Sequence, residues 1–263
     1  MEPSSRGFYR LVAIVDRLLG PGGCPWDQAQ THESLKQTLV EESYEVLAAI
    51  DHGSQETLRE ELGDLLLQPV MHAQMEKRDG GWDIDDVADA ISDKLVRRHP
   101  HVFGDTEAHT ADEVLKNWDR IKMEEKGVID SSILGDVPIG MASLLRAHVV
   151  SRRAARAGFE WPGVEAVFEK LREEERELKE AIASGDTAAI ESEIGDLLFT
   201  VVNIARWVDV EPEDALRKMV NRFVARFRAM EARAAKPLDA LSPEEWDVLW
   251  NASKAEEQGS TAP

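Results

Sequence analysis

The chain has 263 residues, 43% of them hydrophobic and 6% aromatic, and its 51 Asp and Glu outweigh 31 Lys and Arg to give a formal net charge of −20. That is room for one large domain or two of about 130 residues, and it excludes a general binder of nucleic acid or of anionic membrane, so a polyanionic substrate would need a cation as bridge. The single cysteine, Cys24, excludes a disulfide framework and a CxxC metal pair; with no signal pattern at the N-terminus and no apolar run near the ~20 residues of a membrane helix, a soluble, cytoplasmic protein is expected.

Leu, Ala, Glu and Arg dominate and alternating β-branched runs are scarce, which predicts helices throughout. In chain order they fall at 6–19, 32–52, 55–78, 84–98 and 111–126, then at 141–157, 163–184, 187–208, 212–235 and 243–256. Gly53 and Gly185 suit helix C-caps, Pro212 and Pro243 suit first turns, and Asp79-Gly80-Gly81 reads as a turn. Connections this short between long helices imply antiparallel bundles. The Gly, Ser, Asp and Pro of 127–140 read as a linker.

The second set of helices repeats the first. Residues 34–66 align with 166–198 without a gap, at an offset of 132, with twelve identities among 33 pairs. Glu41-Glu42-x-x-Glu45, fifteen residues, Glu61-x-Gly63-Asp64 becomes Glu173-Glu174-x-x-Glu177, fifteen residues, Glu193-x-Gly195-Asp196; Trp118-x-x-x-Lys122 becomes Trp250-x-x-x-Lys254. This predicts an all-α protein of tandem duplicated helical-bundle domains, 1–126 and 141–263, joined by 127–140.

Residues three apart share a helix face, so Glu174 with Glu177 and Glu193 with Asp196 can converge across an antiparallel pair, as can Glu42, Glu45, Glu61 and Asp64. Oxygen-only donors select Mg²⁺ or Mn²⁺ over zinc. Without a metal such acids repel and their pKa values rise. The competing reading is a solvated face paired with Lys36, Arg59, Arg172 and Lys179. Duplication of the spacing, apolar neighbours such as Leu39, Val46, Leu62 and Leu65, and a helix-weakening glycine inside each ExGD favour the metal; Gly63 and Gly195 suggest close approach by a backbone, metal or ligand. A di-iron bundle wants Glu-x-x-His, which neither copy has. Downstream of each acid set lies a basic helix, with Lys94, Arg97 and Arg98 in the first half and Lys218, Arg222, Arg226 and Arg228 in the second. Arginine forks suit phosphate, and Trp118 and Trp250 can stack on a base or pack in the core.

These paired EExxE and ExxD motifs, with Gly23-Cys24-Pro25-Trp26-Asp27, Gln30-Thr31 and the run from Arg97 to Phe103, resemble the MazG family of nucleoside triphosphate pyrophosphohydrolases over about residues 8–256. The resemblance implies a homodimer and Mg²⁺-dependent hydrolysis of nucleoside triphosphates between the α and β phosphates. It implies Glu174, Glu177, Glu193 and Asp196 as metal ligands, and Lys170, Arg222 and Arg226 on phosphates. Trp250 would lie near the nucleotide and Glu173 would orient the attacking water. Lys94, Arg98 and Trp118 are the first-half equivalents. A lysine that some members carry before the second ExxD is absent from Ala188-Ala189-Ile190-Glu191.

The halves are unequal. Pro69, where the second half has Val201, removes a bond to the Leu65 carbonyl and should kink the first acid helix. Thr38 stands where the second half has Lys170. The second half is therefore expected to be the main catalytic domain. A non-catalytic metal- or nucleotide-sensing module and a narrower pyrophosphatase for dUTP, dCTP or a damaged nucleotide stand as alternatives.

Overall fold

The computed structural model describes residues 7–125, 132–135 and 137–260. Among them are twelve α-helices, a 3-10 turn at Leu238–Ala240 and no strand, as an all-α chain requires. The chain divides into two compact units, Met1–Gly127 and Val128–Pro263; of the expected linker, residues 127–131 and 136 lie outside the described residues. No described helix is long and apolar enough to cross a membrane.

The first unit contains α1 (Phe8–Leu19), α2 (Pro25–Gln28), α3 (Leu35–His52), α4 (Gln55–Arg78), α5 (Ile84–Arg98), α6 (Pro100–Phe103) and α7 (Ala111–Glu125). The second contains α8 (Ser143–Arg156), α9 (Val164–Ser184), α10 (Thr187–Trp207), α11 (Pro212–Arg233) and α12 (Pro243–Ser260). The centre of each is a long helical hairpin, α3–α4 or α9–α10, turned at a left-handed glycine with φ of 73° at both Gly53 and Gly185. Only glycine adopts that conformation without steric cost. The next residue starts the return helix: Ser54 Oγ accepts the Thr57 N–H, and the Asp186 carboxylate accepts those of Ala188 and Ala189. Helix α1 packs on α4 and α8 on α10, while α7 lies against α5 and α12 against α11.

The first core gathers Val15 and Leu19 of α1, Ile84 at the start of α5, and Leu35, Val70, Met71, Ala73 and Met75 from the ends of α3 and α4 far from the turn. Nearer the turn Val46, Ala49 and Ala181 are buried, but other apolar side chains are uncovered, as at Leu62 and Leu66 in α4 and Ile194 and Leu198 in α10. The hairpin ends that carry the acids are thus the open ends of each unit.

Helices α2 and α6 are single turns opened by Pro25 and Pro100, too short to show a period in sequence. Helix α4 runs from Gln55 through Pro69 to Arg78, the range expected of it. The proline is exposed, and buried Gln68, Val70 and Met71 on either side hold the backbone helical. The missing N–H still costs stability, so Pro69→Ala is expected to stabilise the first unit by about 1–3 kcal/mol. Thermal unfolding of the full chain reads this as a first-unit transition several degrees higher; an unchanged transition would mean that the proline carries no cost here.

Candidate metal centre and its basic flank

The acids converge because the arms of each hairpin are equal. Glu45 stands eight residues before Gly53 and Glu61 eight after; Glu42 and Asp64 each stand eleven away. The same counts hold around Gly185 for Glu177, Glu193, Glu174 and Asp196. At 1.5 Å per residue, facing pairs meet about 12 and 16 Å from the turn. Carboxylate oxygens of Glu42, Glu45 and Glu61 lie within 4.8 Å of one another, as do those of Glu174, Glu177 and Glu193. Asp64 and Asp196 fall outside these two sets and are exposed, yet near enough for their charges to act on the cluster.

Burial first, and then the charges of Glu45, Asp64 and Glu61, raise the Glu42 carboxyl above its usual range. Glu61 is raised by desolvation and then by Glu45 and Asp64. Glu193 is raised by desolvation and then by Glu177, Asp196 and Glu174, with Lys170 opposing. Repulsion is thus present as expected, but it is second to desolvation. One Glu42 oxygen, Oε2, is buried with no hydrogen-bond partner among the described residues. An unsatisfied anionic oxygen beside two further carboxylates suits a hard dication, which takes oxygen ligands alone.

In the second unit Lys170 Nζ donates to Glu173 Oε1 and Glu174 Oε1, both at 2.8 Å. The lysine pKa rises through these bonds and the Glu173 carboxyl is held below its usual range. Glu174 is 4% exposed, a buried carboxylate with this charge partner. Solvated-face pairing takes other acids: Lys179 holds Glu175, and Arg59 holds Glu56. Besides Lys170 on Glu174, Arg176 reaches a cluster acid, Glu177, at 3.6 Å. Of the approaches expected at Gly63 and Gly195, that of another backbone is not seen: among the described residues a Cβ at either would meet nothing within 4 Å outside its own helix.

The basic helices meet the tryptophans. The Arg98 guanidinium lies 4.7 Å over Trp118 and that of Arg226 lies 5.6 Å over Trp250. Lys122 and Lys254 approach the same rings at 6.0 and 5.7 Å. The WxxxK repeat carried those lysines in sequence, but only as a mark of duplication. Lys94 is exposed one turn before Arg98, and Arg222 is exposed with its Nη2 3.4 Å from Met219 Sδ. Trp250 also packs on Phe223, and Trp246 on Phe227; with Met230 and Asp247 they line a cleft of about 270 Å³. Phe223, Phe227 and Trp246 gave no signal, because aromatic residues on a helix read equally as core. In the first unit Glu125 accepts from Arg97 Nε at 3.1 Å and from Arg98 Nε and Nη2 at 3.0 and 2.6 Å. Those bonds, Arg98's first, lower the Glu125 pKa. A cleft of about 290 Å³ adjoins Glu45 and Glu61, with Ala48, Ala49, Ser54 and Thr57 as its other walls.

The family described as MazG nucleotide pyrophosphohydrolase domain matches residues 30–103 and again 163–230, once per acid hairpin. The chain is 44% identical over 250 residues to the nucleoside triphosphate pyrophosphohydrolase/pyrophosphatase MazG of Thermotoga maritima, covering 94% of this chain and 95% of the relative. It is 41% identical over 257 residues to the nucleoside triphosphate pyrophosphohydrolase of Escherichia coli K12, covering 94% and 97%. To the protein of the same description in Mycobacterium tuberculosis it is 32% identical over 278 residues, covering 98% and 74%.

Proposed function

Because the chain belongs to the MazG nucleotide pyrophosphohydrolase family, we propose that it hydrolyses nucleoside triphosphates to the nucleoside monophosphate and pyrophosphate, chiefly in its second unit. The observation that carries this is the occurrence, in one unit, of a three-carboxylate cluster and, on the following helices, an aromatic cleft whose Trp250 ring lies under Arg226. Glu174, Glu177 and Glu193 would hold Mg²⁺, with Mn²⁺ as substitute and Asp196 as a further oxygen. The bound dication would offset triphosphate charge and acidify a water.

The chain's own groups do the rest. Lys170 keeps Glu173 ionised, able to orient the attacking water and accept its proton. Water oxygen bonds to phosphorus as the P–O bond between the α and β phosphates breaks, and pyrophosphate leaves. Arg222 and Arg226 offer forks for phosphate oxygens, and Trp250 with Phe223 offers faces for a base. In the first unit Thr38 stands where the second has Lys170, so no lysine holds the Glu41 position, which favours a weaker or purely binding role there. A second copy of the chain would cover the apolar stripes left exposed at Ile194, Leu198 and Val201 on α10 and Leu216, Val220 and Phe223 on α11. On this reading the protein works as a homodimer.

Mixed nucleoside triphosphates with Mg²⁺ should release pyrophosphate and monophosphate in equal amounts. Orthophosphate as the first product, or binding without turnover, would overturn the assignment, and turnover of a single nucleotide from a panel would narrow it.

A further inference from the structure

The two units differ most in chemistry where α1 meets α4 and α8 meets α10. In the first unit Leu19 and Met71 are both 5% exposed members of the apolar core, and the Gln74 amide donates to Asp16 at 3.1 Å. At the same offset of 132 the second unit has Ser151, Asn203, Arg206 and His148. Ser151 and Asn203 are still buried, at 5% and 7% exposure, but now as a polar network. Ser151 Oγ donates to Asn203 Oδ1 at 2.7 Å and accepts from Arg206 Nε at 2.8 Å. Arg206 Nη1 and Nη2 donate to the Glu160 carboxylate at 2.5 and 2.7 Å. Burying polar groups where an apolar core would serve costs stability. What this network accomplishes is to fix a guanidinium in one orientation.

That guanidinium lines a pocket of about 370 Å³. His148, Arg152 and Arg156 follow one another along a face of α8, four residues apart, and form another wall. The Nδ1 of His148 is buried and has no hydrogen-bond partner among the described residues. Burial, then Arg152 and Arg206, lower the His148 pKa, while Glu211 and Asp209 oppose them. The pocket thus combines three arginines and an unsatisfied ring nitrogen against the acids Glu160 and Asp209. Apart from the ring of His148 its only apolar lining residue is Ala155, so there is no broad aromatic shelf for a base, unlike the cleft between α11 and α12. Arg206 lies ten residues from Asp196, about 15 Å along α10 from the acid cluster.

We propose that this pocket binds a small phosphoryl anion, orthophosphate or pyrophosphate, held by Arg152 and by the Nδ1–H of His148, with the Glu160-bound Arg206 as a fixed positive wall, at a site separate from the carboxylate cluster. Planar guanidinium forks match phosphoryl oxygens, and the anion would satisfy the orphaned nitrogen. The site does not depend on the activity proposed above.

The test is calorimetric titration of the full-length protein with sodium orthophosphate and, separately, sodium pyrophosphate, in EDTA at constant ionic strength, repeated with Arg152→Ala and His148→Asn. At least one anion should bind the wild type. Arg152→Ala should weaken it by about tenfold or more, with its melting temperature and its KM for nucleoside triphosphates unchanged. Which anion binds more tightly identifies the source. No binding of either at millimolar concentration, or equal binding by wild type and both variants, overturns the proposal. Should Arg152→Ala misfold, the imidazole resonances of His148 in the wild type decide instead: they should move on adding the anion, and static resonances count against the site.

Discussion

Glu174→Ala is expected to lower pyrophosphate release by about 10³-fold or more, while Glu42→Ala leaves most of it intact. Glu174 is the most enclosed acid of its cluster, at 4% exposure, and Lys170 bonds it directly. Truncation removes one of three converging oxygens and leaves the lysine to Glu173 alone, so both cation binding and the placement of Glu173 suffer. Glu42 sits in a cluster of the same shape, but Thr38 stands where the second unit has Lys170. Glu174→Gln, which keeps the shape, should be nearly as inactive with an unchanged melting temperature. Abolition of turnover by Glu42→Ala alone would place catalysis in the first unit.

The second expectation concerns Mg²⁺ and pH together. A ligand that binds only the folded protein stabilises it by about 2.7 kcal/mol at a hundred times its Kd, a rise on the order of 10 °C for a unit of this size. The raised carboxyls of Glu42, Glu61 and Glu193 set the pH dependence. A carboxyl raised on folding leaves stability intact below its unfolded pKa and subtracts from it as pH rises through the folded value. The metal-free protein therefore carries this penalty in full above the raised folded values and sheds it as pH falls toward the ordinary carboxylate range, where protons compete with the cation for the same oxygens. Hence the Mg²⁺-induced rise in melting temperature should be largest near pH 8 and shrink as pH falls toward about 5. The lowered carboxyls of Glu125, Glu160 and Asp214 act in the opposite sense, so the comparison is of the shift with and without Mg²⁺, not of absolute stability. A shift that grows on acidification, or none at millimolar Mg²⁺, would mean that the clusters do not bind the ion.

What could be read in sequence was whatever local backbone chemistry decides. The turns at Gly53 and Gly185 and the start of α11 at Pro212 follow from conformations that one residue type supplies. The convergence of the acids followed too, since helical period and a short turn leave little freedom. Contacts between distant segments could not be read. Glu125 on Arg98 and Ser151 on Asn203 join residues 27 and 52 apart, and nothing in either segment's own pattern names its partner. Gly63 and Gly195 were recognised as unusual, but a glycine reveals only that a side chain is absent. That the space beside it is empty in the chain itself is a tertiary fact.

The equal arms of the hairpins restrict how such a protein can change. Adding one residue between Gly185 and Glu193 would swing Glu193 by about 100° around its helix and lift it about 1.5 Å, away from Glu174 and Glu177. Beyond the acids the same hairpins have drifted: α4 is 24 residues long and α10 is 21, both measured from matching starts. α3 and α9 likewise end together but begin three residues out of step. These differences lie in where the helices start and stop, because the offset of 132 that joins Leu19 to Ser151 and Trp118 to Trp250 is unbroken. Between the carboxylates and the turn even the helix boundaries agree residue for residue, so the hairpin tip behaves as an indivisible cassette.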